Sequence, residues 1–143
     1  MFPELSFHVV GVSYHTAAVG VREQFAVTEA ELAVMLEHEH VAGRSALFLF
    51  TCNRCELYWC GPHDYESWFR ELARARGLTL AGEIGRLDGE EALRHLFTVA
   101  AGLDSQILGE TEILGQVRRA YDAARAAGTT MLEMDLIFSA ALS

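Results

Sequence analysis

The stretch Phe50-Thr51-Cys52-Asn53-Arg54-Cys55-Glu56 sets a thiol, an amide, a guanidinium and a carboxylate side by side where an apolar run ends. Sites are commonly built at such exits. A free thiol with a pKa of about 8.5 is only a few per cent thiolate at neutral pH, so a nucleophilic Cys52 needs a cation or backbone donors nearby. In the sequence, Arg54 is the nearest candidate. Cys60 lies in an aromatic segment and reads as a small buried hydrophobe. The same cysteines admit two rival chemistries. Cys52-x-x-Cys55 has redox spacing, and Cys52, Cys55, Cys60 and His63 have a spacing open to a Cys3His zinc module. Against both, redox Cys-x-x-Cys motifs usually open a helix, whereas residues 56–60 are β-prone, and a strand sends Cys55 and Cys60 to opposite faces.

A second constellation runs from His95 to Glu110. A helix carrying His95 breaks at Gly102 and another begins near Glu110, leaving Asp104, Ser105 and Gln106 in a bend rimmed by small residues. Such a bend can lie against a ligand. A lone helical histidine is more often a capped or solvent-facing residue than a catalyst, so His95 defines no site by itself.

The elements that must position these residues follow from periodicity and punctuation. Residues 7–12 carry Phe7, Val9, Val10 and Val12, and read as a short strand before a polar break at Ser13-Tyr14-His15-Thr16. Thr28 with Glu31 forms a capping-box pattern for a helix to about His40, ended by Gly43. Residues 45–51 are a continuous apolar, aromatic-rich run that reads as a buried central strand, paired with 56–60 through a tight connection at Asn53. Tyr65, Trp68, Phe69 and Leu72 predict a helix over 64–76, and a short edge strand is expected around Ile84. Asp88 is the expected N-cap of the helix that ends at Gly102. The next helix, 110–127, has acids at its start and arginines toward its end, matching the helix dipole. Residues 131–142 predict a last helix cut short at Ser143. The expected fold is α+β, a split βαβ-like sandwich with a small antiparallel sheet and a helical C-terminal part.

Composition narrows the function. With 143 residues, 51% apolar and only 2 Pro, the chain is one compact domain, not a disordered or low-complexity one. At this length folding buries roughly 68–70% of the unfolded surface, so neither disulfides nor metal is needed to hold the core. All 11 basic residues are Arg, and 20 acids bring the net charge to −9, which argues against nonspecific nucleic-acid binding. No run is long enough for a membrane span, the first residues lack the basic start of a signal peptide, and three cysteines suit a reducing compartment, so a cytoplasmic location is expected. There is no Gly-x-Gly-x-x-Gly after a strand, hence no dinucleotide-binding unit in the chain.

Residues 50–58, the stretch 95–110, and Ile113-Leu114-Gly115-Gln116-Val117 together resemble glutamyl-tRNA reductase. Val9-Val10-Gly11-Val12-Ser13-Tyr14-His15-Thr16-Ala17 is similar to that family's opening, so the resemblance covers nearly the whole chain. It implies a catalytic domain over 1–130, followed at 131–143 by the start of a connecting helix region. The implied reaction is reduction of glutamyl-tRNA to glutamate-1-semialdehyde in tetrapyrrole biosynthesis, with NADPH held by a domain outside this chain. Implied partners are glutamyl-tRNA, a second copy in a homodimer, and glutamate-1-semialdehyde aminomutase.

In the resembled family, Cys52 matches the nucleophile that forms a glutamyl thioester, and His95 matches a histidine important for activity. Thr51, Cys52, Asn53, Arg54, Ser105, Glu110, Thr111, Glu112 and Gln116 match substrate-contacting positions. The glutamyl group presents an α-ammonium and a γ-carboxylate, for which Glu110 and Arg54 are the expected counter-charges. Phe50 stands where the family commonly has Ser, Cys55 where it has Thr, and Thr111-Glu112 where it often has Pro-Gln. Cys55 is thereby expected to bring a second reactive thiol near the first. An isolated domain of this kind is expected to release glutamate as an esterase. A module that kept the fold and lost the chemistry is the alternative, and Arg118, Arg119 and Arg125 are the candidate tRNA patch.

Overall fold

The structure is a computed structural model describing residues 5–79, 82–103 and 112–143. Along the chain these form β1 (Phe7–Ser13), α1 (Val19–Glu23), α2 (Glu29–Val41), β2 (Ser45–Phe50), β3 (Arg54–Cys60), α3 (Glu66–Ala75), β4 (Gly85–Asp88), α4 (Gly89–Ala100), α5 (Glu112–Ala127) and α6 (Leu132–Leu142). The short α1 was not anticipated, because five residues carry no readable period. The Thr28 capping box forms as expected: Glu31 N–H donates to Thr28 Oγ1, and Thr28 N–H donates to Glu31 Oε1, both at 3.1 Å.

The sheet order is β2-β3-β1-β4, with every neighbouring pair antiparallel. β1 and β2 therefore run parallel with β3 inserted between them, which is the split βαβ arrangement. β2 is an edge strand, not the central one its composition suggested. Its apolar residues are buried because helices and the α5–α6 connection cover it. Ala46 N–H donates to the Thr129 carbonyl at 2.9 Å, and Thr129 Oγ1 donates to the Ala46 carbonyl at 2.9 Å. Those bonds satisfy the edge that an exposed strand would leave open. The expected strand near Ile84 is β4, at the opposite edge.

Strand alternation sorts the two faces. Phe7 and Tyr58 on one face meet Phe138 of α6, and Tyr121 of α5 stacks on Phe138 at 5.8 Å. Phe48 and Trp59 on the other face meet Trp68 and Tyr65, at and beside α3. Each fully buried aromatic contributes about 1.5–3 kcal/mol by leaving water, so these two layers carry much of the core. Asp88 is the N-cap residue of α4 as expected, but its side chain makes no capping bond; its Oδ1 accepts from His8 and Arg86 instead. Gly102 ends α4 with φ 75°, a conformation open to glycine without strain.

Candidate active site

The turn between β2 and β3 is held from several sides. Thr51 N–H donates to the Arg54 carbonyl at 2.8 Å, and Asn53 N–H donates to Thr51 Oγ1 at 3.2 Å. Tyr14 N–H, just past β1, donates to the Asn53 carbonyl at 2.8 Å. Arg22 of α1 donates through Nε to the Cys52 carbonyl at 3.2 Å and through Nη1 to the Ala17 carbonyl at 2.8 Å. Asn53 and Arg22 are buried, Thr51 is half-buried, and Cys52 is exposed at the tip. A pinned backbone thus presents a solvent-facing thiol. Beside it lies a cavity of about 330 Å3 lined by Arg22, Ala26, Phe50, Thr51, Cys52 and Cys55.

Cys55 does not provide the second reactive thiol expected from its standing where the resembled family has Thr. It is on β3 facing α1, with Sγ 3.6 Å from the Arg22 carbonyl, and burial together with the Glu56 charge pushes its pKa up to about 12. Burial and the Glu133 charge likewise push Cys60 up to about 12. Among the described residues, no three Cys, His, Asp or Glu side chains gather to hold a metal, and all three cysteines are free thiols.

Two residues along β3 from Arg54, or about 7 Å at strand rise, Glu56 occupies the same face. Its Oε2 accepts from His95 Nε2 of α4 at 2.6 Å and lies 3.5 Å from Arg54 Nη1, while Oε1 accepts from Tyr58 Oη at 2.9 Å. His95 also stacks on Tyr58, with ring centroids 6.4 Å apart. Burial alone would raise the Glu56 pKa; the His95 bond and charge, the Arg54 charge and the Tyr58 bond outweigh it and hold the carboxyl below its ordinary range. A carboxylate only accepts, so in a neutral His95 ring Nε2 carries the proton and the lone pair lies on Nδ1.

Gly11 makes room for this pair. It stands opposite Glu56 in the β1–β3 register, and a Cβ there would fall 2.2 Å from the Cys55 carbonyl oxygen and 2.8 Å from Glu56 Cα. Sequence reasoning placed Glu56 in the chemical stretch and Gly11 in the opening block but gave neither a role, and it missed Arg22 altogether. Glu56 and His95 are 39 residues apart, and Arg22 and Cys52 are 30 apart, so no local spacing signals either pairing.

Of the residues expected at the site, Thr51, Cys52, Asn53 and Arg54 come together on the turn and the start of β3. Arg54 is wholly buried, its guanidinium toward Glu56. His95 lies on the Arg54 face. Glu112 is exposed at the start of α5 and Gln116 is half-buried one turn on, bordering a groove between α2 and α5. Ser105, Glu110 and Thr111, with the bend at Asp104 and Gln106, lie outside the described residues. Arg118, Arg119 and Arg125 are exposed on α5.

Fold and site define an α+β domain of the split βαβ class with an exposed thiol on its hairpin turn and, on the face of β3 that carries Arg54, a buried carboxylate bonded to a half-buried histidine. A family model described as the glutamyl-tRNA(Glu) reductase N-terminal domain matches residues 10–143, and the chain belongs to that family. Curated glutamyl-tRNA reductases from Thermomicrobium roseum and Deinococcus radiodurans are 38% and 40% identical to it. Each match covers 97% of this chain, but only 35% and 39% of those relatives. The solved glutamyl-tRNA reductase from Methanopyrus kandleri superposes with a TM-score of 0.78 at 31% identity, over 96% of this chain and 32% of that one. The chain therefore spans about a third of the length of the relatives it matches.

Proposed function

We propose that this domain captures the glutamyl group of glutamyl-tRNA as a thioester on Cys52, the acyl-transfer half of glutamate-1-semialdehyde formation for tetrapyrrole synthesis. The observation that carries the reading is the Cys52 turn, whose backbone is fixed by Arg22, Tyr14 and Thr51 while its thiol faces solvent. Holding a nucleophile in one geometry before substrate arrives removes an entropic part of the barrier. The Cys52 thiolate attacks the ester carbonyl, an S–C bond forms, the ester C–O bond breaks, and the ribose hydroxyl of the tRNA leaves with a proton. His95, oriented by Glu56, is the group assigned to proton movement, through Nδ1. Arg54 is assigned to the γ-carboxylate and Glu110 to the α-ammonium, with Thr51, Asn53, Ser105, Thr111, Glu112 and Gln116 around the substrate.

The described residues do not suit a dinucleotide: the sheet is antiparallel throughout, with no parallel strand–helix crossover between neighbouring strands. NADPH, which supplies hydride for the reduction, is assigned to a separate domain of the full-length enzyme. Without it, water is the acceptor of the thioester, and the domain is an esterase. No helix among the described residues is long and apolar enough to cross a membrane. The test is release of glutamate from glutamyl-tRNA by this chain, with the Cys52→Ser variant inactive. Undiminished release by that variant would reject the nucleophile.

A further inference from the structure

We propose that Ser6, His8 and Asp88 form a second acyl-transfer site, separate from the Cys52 turn, that hydrolyses short neutral or cationic carboxylic esters. These residues take no part in the chemistry assigned to Cys52. His8 and Asp88 are cross-strand partners of β1 and β4, and Ser6 immediately precedes β1. Ser6 Oγ lies 3.3 Å from His8 Nε2, and His8 Nδ1 lies 2.6 Å from Asp88 Oδ1. This is the spatial order of nucleophile, base and orienting carboxylate.

The direction of each bond follows from its partners. Asp88 is held as a carboxylate: burial opposes the charge, but bonds from His8 and Arg86 outweigh it and keep the carboxyl below its ordinary range. A carboxylate only accepts, so Nδ1 carries a proton, and in a neutral His8 ring the lone pair lies at Nε2, toward Ser6. Gly61 N–H, shared with the Ser6 carbonyl at 3.3 Å, donates to Ser6 Oγ at 3.2 Å. An unprotonated Nε2 can only accept, so the Ser6 hydroxyl proton is the one directed at it.

The surroundings fix the members and leave space. The His8 ring packs against Trp59 at 5.0 Å, and Arg86, lying over Trp59, donates to Asp88 Oδ1 at 3.1 Å and to Asp64 Oδ1 at 2.8 Å. A cavity of about 710 Å3 is lined by Ser6, His8, Asp88, Gly89, Glu90 and Glu91. Because the Asp88 side chain makes no capping bond, its carboxylate is left to His8 and Arg86 at the edge of this cavity. Glu90 and Glu91 on the rim disfavour anionic substrates, which sets this site apart from one that takes a glutamyl γ-carboxylate on a polyanionic tRNA.

In the reaction, the Ser6 proton moves to His8 Nε2 as Oγ bonds to the ester carbonyl carbon. The ester C–O bond then breaks, and the alcohol leaves with the proton from Nε2. Water, deprotonated by the same nitrogen, cleaves the acyl-serine, releases the carboxylic acid and restores the hydroxyl. The test uses the chain carrying Cys52→Ala, which separates this site from the first. A fluorophosphonate should leave an adduct on the peptide holding Ser6. Turnover of p-nitrophenyl acetate should fall at least about 100-fold in both Ser6→Ala and His8→Gln, the minimum expected for losing nucleophile or base. Ser6 is exposed, so Ser6→Ala should keep the native circular dichroism spectrum. Absence of an adduct at Ser6, or equal turnover in Ser6→Ala, would overturn the site.

Discussion

Replacing Glu56 by Gln keeps the side chain's size and its capacity to accept from Tyr58, but removes the charge that meets His95 at 2.6 Å and Arg54 at 3.5 Å. A hydrogen bond to a charged group contributes roughly 1.5–3 kcal/mol, and weakening the buried Arg54 pair adds to the loss. The expected destabilisation at pH 7 is therefore about 3 kcal/mol, or roughly 6–12 °C in Tm for a chain of this size. The effect has a pH signature. The native Glu56 carboxyl binds its proton less tightly than an unfolded carboxyl near 4.5. Its contribution is thus fully present above that value and is lost as pH falls through the lower native pKa. Urea denaturation of wild type and Glu56→Gln at pH 7, and again in steps below pH 4.5, should show the gap closing as acid is added. A gap of the same size at every pH would refute the assignment of its origin to the Glu56 charge.

Gly11→Ala should cost at least the 1–3 kcal/mol typical of overpacking, because the new methyl meets main chain, not a flexible side-chain end, and it should also disturb Glu56; the denaturation midpoint in urea measures it. Arg22→Met leaves the carbonyls of Ala17 and Cys52 without their donor and should destabilise by about 2 kcal/mol. It should also slow acylation of Cys52 in single-turnover measurements with glutamyl-tRNA. Aromatic disulfide titration of the native chain near pH 8 should find Cys52 reacting fast, with Cys55 and Cys60 reacting slowly until urea is added, since burial holds those two thiols up at about 12.

The elements legible in the sequence were those whose signals are local. The Thr28–Glu31 cap, the apolar run of β2 and the hairpin through Asn53 all appear where periodicity and punctuation put them. The place of β2 in the sheet was not legible. An apolar run reports burial alone, and the chain buries this edge with Thr129, more than eighty residues away. Asp88 shows the same limit at a helix end: the N-cap position was readable, but its carboxylate is taken by His8 of another strand. At the site, Thr51, Cys52, Asn53 and Arg54 were readable because they are contiguous. The Glu56–His95 pair, the Arg22 brace and the space at Gly11 depend on strand register and helix packing, which no spacing along the chain encodes.

The most direct measurement is intact and peptide mass spectrometry of the chain quenched in acid after incubation with glutamyl-tRNA. A glutamyl adduct confined to the peptide holding Cys52, removed by hydroxylamine and absent in Cys52→Ser, is the expected result. A glutamyl group on any other residue, or glutamate release by wild type that persists in Cys52→Ser, would contradict acyl capture at the turn.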